Sequence, residues 1–212
     1  THSRHANRWV FEKYDGVRGF WNPQKKRFYS RGGKQVEMPS EIIDTLPTDL
    51  FLDGEFWLVL PAFPLLFLNA FLKKRFGRDN FQEAQKIAGR ADPTKIDWTK
   101  FKYMVYDIPS HRGTYAERYA TIGNLNIPFL DLIFERNTKT EEYFAQHPQH
   151  LKYVEVAPRQ VCDNMTQLED IFQKIIEQGG EGVILRNPSA PYQAGRCPGY
   201  LKHKVNARQS YN

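Results

Sequence analysis

Trp9-Val10-Phe11-Glu12-Lys13-Tyr14-Asp15-Gly16-Val17-Arg18-Gly19-Phe20-Trp21 sets one lysine beside an acid, a glycine and an arginine, with bulky apolar residues on both sides. A lysine among apolar neighbours loses solvation, which favours the neutral amine and makes it a nucleophile. The same stretch also reads as two strand-forming runs, 9–14 and 17–22, around an Asp-Gly pair, which is a common hairpin signal. Taken alone, the two readings weigh equally.

A chain of 212 residues is long enough for one large domain, or at most two small ones, with a real core. Apolar and charged fractions of 41% and 25% are ordinary for a globular protein and exclude disordered and collagen-like chains. A formal charge of +6 suits a polyanionic partner such as nucleic acid or nucleotide. Cys162 and Cys197 make neither a disulfide framework nor a zinc cluster and point to a reducing compartment. His2 and His5 have no cysteine or carboxylate cluster beside them and read as solvated. No signal peptide is visible, although a chain starting at Thr1 is compatible with a trimmed leader. The apolar run 58–72 is shorter than a membrane span and is broken by Pro61 and Pro64, so no membrane partner is expected.

Working outward, residues 1–8 read as a flexible terminus. The second strand meets 27–30 across the turn-rich Pro23-Gln24-Lys25-Lys26. A short helix is expected over 41–46, strands over 50–60 and 102–108, and helices from 79 to 89 and from 115 to 125. Residues 153–161 read as one extended run with Pro158 marking an edge or bulge. Leu168, Ile171, Phe172, Ile175 and Ile176 form one apolar stripe, predicting a helix over 166–178 with a capping box from Thr166 to Glu169. Strands over 183–186 and 200–205 close the chain. Strands and helices mix without regular alternation, so the expected class is α+β with mostly antiparallel sheets and flanking helices.

Several further segments carry chemistry. Ser30-Arg31-Gly32-Gly33-Lys34 combines a phosphate-binding arginine with glycines that admit a ligand to the backbone; alone it reads more readily as a solvated turn. Leu52-Asp53-Gly54-Glu55-Phe56-Trp57 can point Glu55 into a cleft to accept bonds from sugar hydroxyls, although alone it reads more readily as a second Asp-Gly turn with an exposed glutamate. In Tyr103-Met104-Val105-Tyr106-Asp107, alternation sets Tyr106 on the face opposite Tyr103, Val105 and Asp107, where its ring can stack on a base. Glu181-Gly182-Val183-Ile184-Leu185-Arg186 puts an acid at a strand's start and a cation at its end. Leu201-Lys202-His203-Lys204 puts two lysines on one side of a strand, an arrangement that suits an anion between them.

Together and in this order, the segments resemble the nucleotidyltransferase (adenylylation) domain of ATP-dependent DNA ligases, an ATP-grasp-like fold within the covalent nucleotidyltransferases. Ser30–Lys34, Asp107-Ile108-Pro109 and Tyr192-Gln193-Ala194-Gly195-Arg196 are most similar to the minimal DNA ligases. The resemblance runs from Trp9 to Val205, giving a domain over 9–206 and a tail over 207–212. It implies that Lys13 attacks the α-phosphorus of ATP and holds AMP, which passes to a 5′-phosphate in nicked double-stranded DNA before a 3′-hydroxyl seals the strand. Arg18 and Glu55 would hold the ribose, Tyr106 would stack on adenine, and Arg31 would touch ribose or the nick phosphate. Val183 is a further nucleotide-binding expectation, and Glu181 would place Mg²⁺ or Mn²⁺. Lys202 and Lys204 would neutralise the α-phosphate, and Asp15, Arg31, Arg186 and Arg196 are the expected DNA contacts.

The resemblance further implies a monomer inside the cell, in the nucleus or mitochondrion of a eukaryotic source. The family continues into an OB-fold domain, whereas eight residues follow Lys204 here, so that domain is expected to be missing from this chain. Residues 58–75 read as an insertion, either a partner patch or a translated intron. RNA ligases and mRNA-capping guanylyltransferases share the lysine chemistry and remain as alternatives, as does a non-catalytic ligase-derived binding module.

Overall fold

The computed structural model describes residues 8–58, 93–123, 153–195 and 197–204. Among these, the strands form two sheets. The six-stranded sheet has the order β4-β3-β2-β5-β6-β7, from Gln35–Val36, Arg27–Ser30, Val17–Asn22, Leu52–Leu58, Phe101–Asp107 and Val154–Val156. The four-stranded sheet runs β10-β9-β1-β8, from Tyr200–Lys204, Gly182–Arg186, Arg8–Glu12 and Arg159–Cys162. Pairing is antiparallel throughout except between β6 and β7. The short helix α1 (Ser40–Ile43) and helices α2 (Tyr115–Gly123) and α3 (Met165–Glu177) complete the α+β architecture. No helix of the described residues is long and apolar enough to cross a membrane.

Period-two alternation decides which side chains meet. In the six-stranded sheet, Trp21, Phe28, Phe56 and Tyr103 turn to one face and pack with ring centroids 4.9 to 5.2 Å apart. Such aromatic pairs add about 0.5–1.5 kcal/mol each beyond simple burial. The Tyr103 hydroxyl is fully buried and donates toward the Gly19 and Leu52 carbonyls at 2.9 and 3.2 Å, so its polar atom is satisfied. In the four-stranded sheet, Val10, Val183 and Leu185 turn toward Leu168, Phe172 and Ile175 of α3. The opposite faces of the two sheets meet through Phe11, Tyr14, Trp57, Met104, Tyr115 and Ile184.

Four expectations are corrected. Strands β1 and β2 do not form a hairpin. They lie in different sheets, and β1 pairs instead with β8 and β9, about 150 residues later in the chain. Residues 153–161 are not one extended run: β7 belongs to one sheet and β8 to the other, with Ala157 and Pro158 between them. Proline has no N–H for a ladder, which suits a point where pairing stops. The cap of α3 is Asn164 rather than Thr166; its side chain accepts from the Gln167 N–H at 2.9 Å, while the Gln167 side chain accepts from the Asp163 N–H at 2.9 Å. The α1 helix ends at Ile43, short of the expected Leu46. The helix expected over 79–89, most of the 58–75 insertion, residues 124–125 of the expected 115–125 helix and Arg196 lie outside the described residues.

Candidate nucleotide-binding site

Residues 13–16 carry the chain from the four-stranded sheet to the six-stranded one, and both ends of this crossing are tied down. The Lys13 N–H donates to the Gly182 carbonyl at 2.9 Å, extending the β1–β9 ladder by one residue. That register sets Lys13 beside Glu181, and its Nζ donates to the Glu181 carboxylate as an ion pair. Gly182 has φ of +146° and faces the His203 backbone, so a side chain would be both strained and obstructed there. At the other end, the Gly16 N–H donates to Glu55 Oε1 at 3.0 Å. A Cβ on Gly16 would overlap the Phe56 carbonyl oxygen, so only glycine lets the crossing lie this close to β5.

The sheets part here around a cleft of about 420 Å³, lined by Lys13, Arg18, Arg31, Glu55, Tyr106 and Lys202 among others. Arg18 and Glu55 face each other on adjacent strands β2 and β5. The Arg18 guanidinium grips buried Asp53 through two bonds, of 2.9 and 2.5 Å, and lies 4.8 Å from the Phe20 ring. Burial raises the Asp53 carboxyl despite this partner. Burial also pushes Glu55 up to about 7, against the opposing pull of the Gly16 N–H and of Lys13. Lys202 is lowered, first by burial and then by Lys13 and Arg31, so its charge is disfavoured until an anion arrives. The Lys204 ammonium stands 3.8 Å from the second Glu181 oxygen.

Seven of the residues singled out from sequence, Arg186 among them, therefore share one cleft, with Glu181 and Lys204 beside its lysine. Lys13 was expected to owe its reactivity to apolar surroundings; its amine instead lies against a carboxylate, because β1 and β9 pair in the register that brings Glu181 alongside. The expectation for Val183 is off by one residue: Val183 is fully buried under α3, and Ile184 lines the cleft. Asp15 is half-buried, with its carboxyl raised by burial and by Glu181. Arg186, expected on a DNA surface, is 9% exposed and donates to Asp107 at 2.7 Å.

Other residues of the site escaped sequence reading. Asp107 also accepts from Arg118 of α2 at 2.6 Å, and Arg118 donates onward to the Gly113 and Ala190 carbonyls. The available signal was an arginine inside a helix whose neighbours Tyr115, Tyr119 and Ile122 are apolar or aromatic. Asp53 stood in a quoted motif, yet nothing local paired it with Arg18, 35 residues away.

Solved structures share this architecture. A Lig E DNA ligase superposes with a TM-score of 0.69 at 21% identity, covering 95% of this chain and 63% of that one. Chlorella virus DNA ligase-adenylate superposes with a TM-score of 0.61 at 19% identity, covering 94% and 62%. In sequence, a DNA ligase of Haemophilus influenzae is 30% identical over 199 residues, which is 93% of this chain and 58% of the relative. A DNA ligase of Methanospirillum hungatei is 26% identical over 92% of this chain and 31% of its own length. The sequence model of the ATP-dependent DNA ligase domain matches residues 2–204, and the chain belongs to that family. It spans little more than half the length of the Haemophilus relative.

Proposed function

We propose that this domain carries AMP on Lys13 and hands it to the 5′-phosphate of a nick in double-stranded DNA. The observation that carries the reading is the position of Lys13 in the cleft, beside Glu181 and opposite Glu55, with Arg31 and Lys202 on the same lining. Lys13 Nζ forms a bond to the α-phosphorus of ATP as the bond to the bridging oxygen breaks, and pyrophosphate leaves with that electron pair. The ion-paired ammonium loses one proton before it can attack and a second as the phosphoramidate forms; the Glu181 carboxylate in contact with it supports Glu181 as acceptor of the first, and the second passes to solvent or to the departing pyrophosphate. Lys202 and Lys204 offset the charge that builds on the phosphoryl oxygens, with Arg31 beside them, which is electrostatic and positional catalysis. Tyr106 stacks on the adenine ring, and Glu55 accepts from the ribose. In the second step a 5′-phosphate oxygen displaces Lys13 from the adenylate. In the third a 3′-hydroxyl attacks that 5′-phosphorus and releases AMP.

The Glu181 carboxylate is a hard oxygen donor that fits a magnesium or manganese ion bound jointly with substrate phosphates, a mode needing only one or two protein carboxylates. When bound, the ion supplies charge neutralisation at the triphosphate. The protein acts as a monomer inside the cell, with Asp15 and Arg31 toward the DNA.

Incubation with Mg²⁺ and either ATP or GTP, followed by intact mass measurement, tests the reading. An AMP adduct that Lys13→Ala abolishes is the expected result, whereas a GMP adduct supports capping chemistry. Absence of any adduct, even when a pre-adenylylated nick is supplied to run the reaction backwards, overturns catalysis.

A further inference from the structure

Arg186 is a nearly buried cation on the lining of the cleft, surrounded by rings. Its guanidinium carbon lies 5.0 Å from the Tyr106 ring centroid, 4.6 Å from that of Tyr115 and 5.0 Å from that of Tyr200. One of its nitrogens donates to Asp107 at 2.7 Å, and Asp107 is fixed from its other side by Arg118. The Tyr115 hydroxyl donates to the Tyr106 carbonyl at 3.0 Å, and the Tyr106 hydroxyl reaches the Gly54 carbonyl at 3.4 Å. Tyr106 is thus held by backbone, hydroxyl and ring at once. A cation over one face of an aromatic ring is attracted to its quadrupole and occupies that face. Tyr200 lies directly across from Arg186 in the β9–β10 pair, two residues before Lys202 on the same face of β10.

From this geometry we infer that Arg186 is a positioning residue that makes Tyr106 a one-sided stacking platform and sets its distance from the lysine strand. The inference rests on the reading of Tyr106 as the adenine contact. A planar guanidinium can satisfy Asp107 along its edge and three rings across its surface at once. A lysine keeps the charge but offers a point rather than a plane. The Arg186 guanidinium is already engaged by Asp107 and three rings, and its part is to fix the ring on which the base stacks. Base recognition and phosphate binding should therefore separate on its removal.

The test is equilibrium binding in a Lys13→Ala background, where no covalent step intervenes, using ATP and inorganic triphosphate as two probes. Arg186→Met should weaken ATP binding about 10-fold, the loss of roughly one stacked base, and leave triphosphate binding unchanged. Arg186→Lys should recover less than half of that loss. A Tyr106→Ala partner should remove any further effect of Arg186→Lys, a comparison that holds even if Arg186→Met fails to fold. Unchanged ATP affinity in the Arg186 variants, or an equal loss for both probes, overturns the inference. Failure of the Lys13→Ala parent to bind ATP at all, with triphosphate still bound, overturns the adenine-site reading and this inference with it.

Discussion

On the six-stranded side of the cleft, Asp53, Glu55 and Tyr106 are largely buried and held by named partners: Arg18, the Gly16 N–H and Arg186. On the four-stranded side, Lys202 and Lys204 are exposed ammonium groups on flexible stems, and Lys13 is restrained chiefly by Glu181. The first wall is built before any ligand arrives. The second is mainly cationic, with Glu181 between Lys13 and Lys204 and Lys202 left facing like charges until an anion arrives. A rigid wall suits recognition of a planar, neutral base. An adaptable cationic wall suits a phosphoryl group whose charge and geometry change as bonds are exchanged.

The sharpest way to break this contrast is at its single covalent point: Lys13→Ala should abolish the AMP adduct in intact mass measurements. Gly16→Ala comes next. A methyl group there must displace the crossing from β5, and a shift of about 1 Å at a nucleophile can cost about 100-fold in rate, read from the time course of adduct formation. Arg118→Leu strikes the rigid wall from behind, leaving Asp107 with Arg186 and the Ile108 N–H and taking the arginine donor from the Gly113 carbonyl. It should lower stability by about 3 kcal/mol in urea denaturation.

Glu55→Gln sharpens the comparison through pH. Its carboxyl titrates near 7 when folded, against an ordinary value of 4.5. Relative to the glutamine variant, the stabilisation is whole below pH 4.5 and is lost as pH rises through about 7, because ionisation then charges a buried group. The difference between the two proteins should change by about 3 kcal/mol across that window in thermal unfolding. The smallest effect belongs to Asn164→Ala, which removes the cap of the helix supporting the lysine strand and should cost about 1 kcal/mol of stability, measured the same way.

What the sequence discloses follows the range of the interaction. Strands 17–22 and 27–30 match the expected bounds because alternation and a four-residue turn are local signals. The α3 stripe is equally local, while its cap was misjudged by two residues because both Asn164 and Thr166 are good capping types. The Asp-Gly crossing misled because the partners of β1 are far along the chain, and no local pattern reports which strand a strand will choose. The same limit hid the Asp107–Arg118–Arg186 unit, whose members come from three elements. Val183 and Ile184 were confused because a wholly buried strand has no alternation from which to take its phase. The cleft residues themselves were readable because chemistry restricts residue type more tightly than packing does.

The pairing of β1 also governs the order in which the molecule can be assembled. The β2–β3 hairpin can form as soon as it is synthesised, whereas β1 must wait for β8 and β9, and Lys13 for a carboxylate 168 residues further on. Closing so long a loop is slow, because chain entropy is lost before the contacts form. The amine on which the proposed chemistry turns therefore acquires its surroundings only when the domain is nearly whole. A nascent chain released before Glu181 would carry the nucleophile without the groups that give it a task.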